Sequence, residues 1–390
     1  MTVATAPAHG RYGTRLAALR ADEAVLPPVL RVAEPLGLAH GGQRLERDYA
    51  RFHPQRERFA TLVLRDVREP VLRVEAYDAR PAARDPREGV VESDAGWLRV
   101  SSIASDPALP GLSDLLACPA PREVVRYRPY RRCTVRFDGG YAKVFADRRG
   151  ERLVEEAKRL WAAAESGELA FAVPCPEHYD PSGRTLWQTR VPGRPVPSEM
   201  QGNALATRMG RALASLAEAR LEPRRAITPG AALARSARLG RSLARTVPAA
   251  EREVEELLAR LQGAHAVAAR TPLRPVHGSP HPGQWLDAEE RLGLVDFDGL
   301  ALGEPELDAA AVLAALEFED PERVPVARLS AAFLAGYRER GAELDPALIA
   351  IYRAHRRLAK AVRVACSLRP DGDVRAARHL ARALSGLEVA

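Results

Sequence analysis

An α+β fold is what this chain predicts: a small antiparallel β unit, then a mostly helical half, with a further strand-bearing region ahead of both. Three observations carry that prediction. Between Glu123 and Phe145, short alternating runs surround Asp138-Gly139-Gly140, a tight turn whose glycines allow positive φ. From Gln201 onward, apolar residues recur at three- and four-residue intervals over long segments. Finally, Arg274 to Asp308 is a Gly/Pro-dense loop followed by a hairpin that ends on Asp296-Phe297-Asp298.

In chain order, residues 1 to about 45 are rich in Ala, Arg, Leu and Pro, with one helix expected over Arg15 to Glu23. Ala60 to Val67, Val71 to Tyr77 and Gly96 to Ile103 alternate as strands do, with Arg80 to Glu92 as a charged connector. They either extend the sheet that follows, the preferred reading, or form a platform of their own. Asp106 to Gly111 has the composition of a linker. Glu123 to Tyr127, Cys133 to Phe137 and Tyr141 to Phe145 then read as three strands, with Lys143 in the middle of the third. Gly150 to Ser166 reads as a helix with Leu153, Ala157, Leu160, Trp161 and Ala164 on one face and Glu156 at its border. Glu168 to Pro174 and Thr185 to Val191 read as strands separated by a turn over His178 to Gly183. Helices are expected over Gln201 to Leu221, Ala231 to Val247, Glu251 to Ala269, Leu307 to Glu317, Val326 to Arg340, Pro346 to Leu368 and Asp371 to Leu384. The units expected are residues 1–115, 116–190 and 191–390.

At 390 residues the chain exceeds the roughly 250–300 residues at which single cores stop growing. No run approaches the roughly 18 apolar residues of a membrane span, and the amino terminus lacks the apolar core of a secretory signal. A cytoplasmic protein without a membrane partner is therefore expected, and its four scattered cysteines are expected to be reduced thiols. The net charge of +7 raises nucleic acid as a partner, but the basic residues are spread along the chain rather than gathered in a basic, aromatic-interleaved block. Only three of the 58 basic residues are Lys. In such a chain a retained lysine marks a place where a compact ammonium does what a guanidinium cannot.

The chemistry concentrates in His277-Gly278-Ser279-Pro280-His281-Pro282-Gly283-Gln284, the hairpin, and Gly303-Glu304-Pro305 before Asp308. This stretch resembles the catalytic segment of the aminoglycoside phosphotransferase and choline kinase-like family, HGDxxxxN, a hairpin, D-F/W-D/E/G, then GDPxxD. His277, Gly278, Asp296, Gly303, Pro305 and Asp308 fall where that pattern wants them. Three positions depart: the catalytic aspartate is Ser279, the metal-binding asparagine is Gln284, and GDP has become Gly303-Glu304-Pro305.

The resemblance implies a two-lobed protein kinase-like fold over about residues 120 to 380, ATP and Mg2+ as cofactors, and a hydroxyl on a small molecule or peptide as acceptor. It implies that Lys143 holds phosphates and is itself held by Glu156 in preference to Glu155. The backbone of Gln188 to Arg190 meets the adenine edge, and Arg side chains of the glycine-free loop Arg128 to Arg132, Arg131 among them, cover the phosphates. Asp296, Gln284 and Asp298 are the metal candidates, while Asp308 braces the catalytic loop. Ser279, His277 and His281 are the catalytic candidates, with His281 and Asp298 as substitutes for the missing base. Serine is a poor base, and base assistance is worth roughly 10²- to 10⁴-fold. Three readings follow: turnover by positioning and electrostatics, turnover with a substitute base, or a pseudokinase that binds nucleotide or docks a partner enzyme.

Overall fold

The computed structural model describes residues 13–54, 56–67, 69–196, 202–317 and 325–387. Helices α1 (Gly13–Arg20) and α2 (Asp22–Ala33) turn Leu16, Leu19, Val25 and Val29 inward. They cover one face of an antiparallel sheet built from β1 (Glu46–Phe52), β2 (Arg58–Arg65), β3 (Pro70–Tyr77), β4 (Gly89–Ser93) and β5 (Gly96–Ser102), in the order β1-β2-β3-β5-β4. Strand side chains alternate between faces. Leu62 and Leu64 therefore join the helices while Val63, between them, joins Ile103 and the strands beyond. This corrects the expected sheet extension: residues 46–102 form their own sheet, whose far face packs on the next one. The edge strands β1 and β4 were not expected from sequence; both carry charges, as edge strands do.

After α3 (Leu112–Ala117), the second sheet comprises β6 (Arg122–Arg128), β7 (Arg132–Phe137) and β8 (Gly140–Phe145), then helix α4 (Arg149–Glu165). The chain continues through β9 (Phe171–Ala172), β10 (Pro176–Asp180) and β11 (Thr185–Thr189), and the sheet order is β10-β11-β8-β7-β6. Of the strand expected over Glu168 to Pro174 only Phe171–Ala172 forms, and the turn expected from His178 is strand as far as Asp180. Pro174 and Pro176 bracket Cys175, and proline lacks the N–H a ladder needs. The chain splits there: β9 leaves to run parallel to a hairpin strand of the helical half, and His178 to Asp180 pair with β11 instead of turning.

The helical half begins at β12 (Arg194–Pro195) and α5 (Asn203–Glu218), and continues with β13 (Ala226–Ile227), α6 (Pro229–Thr246) and α7 (Glu251–Val267). The functional stretch follows as β14 (Arg274–Val276), β15 (Trp285–Ala288), β16 (Arg291–Leu294) and β17 (Ala301–Gly303). Helices α8 (Glu306–Leu316), α9 (Val326–Arg338), α10 (Pro346–Ala365) and α11 (Gly372–Ser385) complete it. The order β12-β15-β16-β9 ties the hairpin to both ends of the segment that crosses between the halves. Trp285 is fully buried with Phe171 and Leu294, which anchors the hairpin in the core. Gln201, the first residue of one expected helix, lies outside the described residues.

Helices α5 and α9 cross where each presents a glycine. A Cβ at Gly210 would stand 2.0 Å from the Phe333 carbonyl, and one at Gly336 would stand 2.0 Å from that of Thr207. Neither neighbour can yield, being backbone. Gly210→Ala should therefore destabilise the helical half by about 1–3 kcal/mol, as overpacking does. A thermal unfolding midpoint equal to the parent's would refute the close crossing.

Candidate functional site

The site forms where the second sheet faces the loops between β14 and α8. Gly278 has φ 86, and a Cβ there would stand 2.5 Å from the Gly299 carbonyl, so only glycine lets the two loops touch. Asp308, buried in the first turn of α8, accepts the N–H groups of His277 at 2.6 Å and Gly278 at 2.9 Å. Burial raises its pKa to about 6, against the pull of those two bonds. His277 is 1% exposed; its Nε2 lies 3.0 Å from the Val295 carbonyl, so it donates there, and its ring packs on Phe297. Burial lowers it to about 4. His277 is thus a neutral strut between the two loops rather than a proton carrier.

Four charges meet across the cleft. Lys143, on β8 and 7% exposed, places Nζ 3.3 Å from Asp296 Oδ1 and 3.1 Å from Asp298 Oδ1. Arg132, at the start of β7, donates to both oxygens of Asp296 at 3.0 and 3.3 Å and also to Asp298. Asp296 itself is left-handed, at φ 70 and ψ 48. Burial alone would raise the pKa of Asp296, but Lys143 and Arg132 outweigh it and hold the carboxyl well below its usual range. Burial would likewise lower Lys143, and Asp298 and Asp296 reverse the sign.

Several expected contacts are replaced. Glu156 is buried and lines the same cleft as Lys143 and Gln188, but it accepts from Arg152 at 3.0 Å and from the Arg224 N–H at 3.2 Å. Lys143 is instead saturated by the two aspartates. Gln284 accepts the His281 N–H on its Oε1 at 3.0 Å and turns its Nε2 toward Asp296 at 3.3 Å, so the oxygen expected on a metal is committed to backbone. His281 serves that short turn with its backbone and is exposed, as is Ser279. Arg190 lies past the end of β11 and is exposed. Arg131 is exposed and lines a basic hollow with His53, Arg56 and Arg58, not the cleft of Lys143 and Asp296.

Two residues, Tyr130 and Arg356, were missed by the sequence reading, and Arg132 was included only as an end of the Arg128 to Arg132 loop. Arg132 could have been found from register: Thr134 pairs with Lys143, so Arg132, two positions earlier, shares that face. Tyr130, at φ 61, donates its hydroxyl to Glu75 at 2.7 Å and its N–H to Asp106 at 2.8 Å, with the Arg58 guanidinium 4.1 Å from its ring centroid. The first sheet thereby grips the β6–β7 turn from behind. Arg356 donates to Ser279 Oγ at 2.8 Å and to the Gly278 carbonyl. No local pattern announces Tyr130 or Arg356, because their partners are distant in sequence.

Among the described residues no group of three or more His, Cys, Asp or Glu could hold a metal ion. Mg2+ is commonly held by one or two carboxylates together with water and substrate phosphates. Asp296 and Asp298 fit that partial role, provided Arg132 exchanges the carboxylates for phosphate.

The sequence pattern described as "Phosphotransferase enzyme family" matches residues 141–344. A choline/ethanolamine kinase family protein from Mesorhizobium loti has 20% identity and a TM-score of 0.53, covering 74% of this chain and 100% of its own. A choline kinase from Streptococcus pneumoniae has 14% identity and a TM-score of 0.51, covering 71% and 97%. An aminoglycoside-3'-phosphotransferase of type VIII has 25% identity and a TM-score of 0.49, covering 65% and 99%. A search of curated proteins finds no match. The first two establish the two-lobed kinase-like α+β fold.

The neutral His277 has a pH signature. Its folded pKa lies below the ordinary value of 6.5, so its contribution to stability is complete above about pH 6.5 and is lost as pH falls toward 4. His277→Gln keeps a donor and cannot titrate. The gap in unfolding midpoint between parent and variant should be constant above pH 6.5 and narrow in favour of the variant below it; a pH-independent gap would contradict the neutral strut.

Proposed function

This chain belongs to the phosphotransferase enzyme family, and from that premise we propose that it transfers the γ-phosphate of ATP, bound with Mg2+, to a hydroxyl group of a small molecule or peptide. The observation that carries the reading is the meeting of Lys143 with Asp296 and Asp298 across the cleft. An ammonium beside two carboxylates is what a nucleotide polyphosphate needs once its charge is shared between them. Mg2+, arriving with the nucleotide, supplies neutralisation between the phosphates. Lys143 and Arg132 would hold phosphate oxygens and Asp296 and Asp298 would hold the metal, while Gln188 and Leu186 line the inner wall of the cleft. Such a reaction suits the cytoplasm, and no helix of the described residues is long and apolar enough to cross a membrane.

Ser279 sits beside the acceptor hydroxyl in this reading. Arg356 donates into its Oγ, so the serine orients rather than deprotonates. Transfer then rests on positioning and electrostatics, which carry most of the catalysis in phosphoryl transfer. A second reading, a pseudokinase that binds nucleotide and docks a partner enzyme, is favoured by that same serine and by the internally neutralised acid pair.

Transfer from labelled ATP to an acceptor pool separates the two. Ser279→Asp should raise turnover by up to about 10²-fold, the lower end of base assistance, because Arg356 would pair with the new carboxylate and blunt it. Equal turnover would show that the native serine suffices. Lys143→Ala should abolish nucleotide binding under both readings, and tight ADP binding by that variant would refute the cleft as the nucleotide site.

A further inference from the structure

We propose that the acceptor is a small hydroxyl-bearing anion, its carboxylate or phosphate seated among Arg235, Arg238 and Arg356 behind the loop that carries Ser279. The inference rests on the phosphotransferase reading for the role of that loop, and on a separate cavity for the class of acceptor.

That cavity, of about 220 Å3, lies between α6 and α10 and reaches Gly278. Arg356 belongs to both places, lining the cavity and donating to Ser279 Oγ at 2.8 Å. A ligand bound to this guanidinium therefore lies beside the position where transfer takes place. The volume is below the roughly 300–1,000 Å3 of pockets for drug-sized ligands, so it admits only a compact molecule.

The lining carries four arginines, Arg225, Arg235, Arg238 and Arg356, and no Asp or Glu. Among the described residues no carboxylate forms an ion pair with Arg225, Arg235 or Arg238. Elsewhere the chain pairs its arginines readily, as Arg340 with Glu218 and Arg208 with Asp287. Four arginines lining one cavity, three of them without an ion-pair partner among the described residues and none facing an acid in the lining itself, is the departure that calls for an anion from outside. The titration directions agree: burial, then Arg225, Arg238 and Arg363, lower Arg235. Burial pushes Arg356 down to about 10 as well, with Asp308 opposing and Arg235 and Arg363 adding to it. Arg235 and Arg356 are thus held at a cost that a bound carboxylate or phosphate would relieve.

The cavity floor is neutral. Ser236 Oγ and His355 Nδ1 lie 2.6 Å apart, and His355 Nε2 lies 2.9 Å from His265 Nε2. Burial first, with His265 and the surrounding arginines adding to it, lowers His355 to about 3, so it stays uncharged at neutral pH. The floor offers hydrogen bonds but no anion to attract a cationic acceptor, which would meet only the guanidinium groups.

The test has a binding arm and a transfer arm, both on the full chain. With the nucleotide site filled by saturating ADP and Mg2+, calorimetry with inorganic phosphate and with glycerate should detect saturable binding of at least one. Arg235→Glu combined with Arg238→Glu should weaken it by about tenfold or more, while retained ADP binding shows that the variant is folded. Preference for phosphate or for glycerate tells the two anion classes apart. No saturable binding of either, or binding unchanged in the double variant, overturns the proposal. In the transfer arm, labelled ATP is offered with glycerate, glycerol 3-phosphate, glycerol and choline. Label passing preferentially to an anion supports the proposal, and label passing equally well to glycerol or choline overturns it. Absence of transfer to any acceptor counts against the phosphotransferase reading alone, since the binding arm still decides the cavity.

Discussion

The contact on which the rest depends is the four-charge cluster that closes the cleft, Lys143 and Arg132 from the sheet against Asp296 and Asp298 from the hairpin end. Burying a charge is costly unless it is paired, and removing one partner of a buried pair typically costs about 3–5 kcal/mol because the other is left uncompensated. The two halves are therefore held at a fixed separation by a balance that is neutral only while all four members stay. On the proposed function, a polyphosphate would compete for the cations and its metal for the acids. The same residues thus hold the empty cleft together and are the ones a nucleotide would redistribute.

The cluster in turn depends on a turn that lacks glycine. Where close backbone approach is not available, Arg132 must reach inward from a rigid base, and the first sheet supplies it. Glu75 is buried yet ionised, since its bonds from Arg58, Arg99 and Tyr130 outweigh the burial that would raise its pKa. It fixes Tyr130 at the tip of the turn, while Asp106 takes the Tyr130 N–H and the Tyr127 hydroxyl. That sheet also touches the far end of the helical half: the Phe52 N–H donates to the Cys366 carbonyl at 2.8 Å, and Leu368 is buried in its core. The leading region, to which sequence assigned no chemistry, is a brace across both lobes.

Much of the architecture was legible because it is local. The long helices follow apolar spacing, and the Asp138-Gly139-Gly140 turn and the Gly/Pro loop are punctuated by residues whose backbone preferences are strong. What failed was decided by partners remote in sequence. Arg131 is the last residue of the β6–β7 turn and Arg132 the first of β7, and only the strand residue shares the face of Thr134 and Lys143. Glu156 was expected to meet Lys143, but Arg152, one helical turn earlier, and the Arg224 N–H claim it, while the lysine finds two acids contributed from about 150 residues away. The prolines around Cys175 were visible in the sequence and could have split the strand correctly.

The serine at position 279 and the arginine-lined cavity answer to the same constraint. An aspartate there would stand within hydrogen-bond reach of Arg356 and would pair with it, losing basicity and consuming a cation that the acceptor needs. It would also present a negative charge at the mouth of a cavity built for anions, and like charges at that range repel strongly in a partly desolvated site. A hydroxyl avoids both penalties, accepting from Arg356 while leaving the guanidinium its positive charge. On this argument Ser279 is a trade rather than a simple loss: it forgoes up to about 10²-fold of base assistance and leaves Arg356 its full charge for an anionic acceptor.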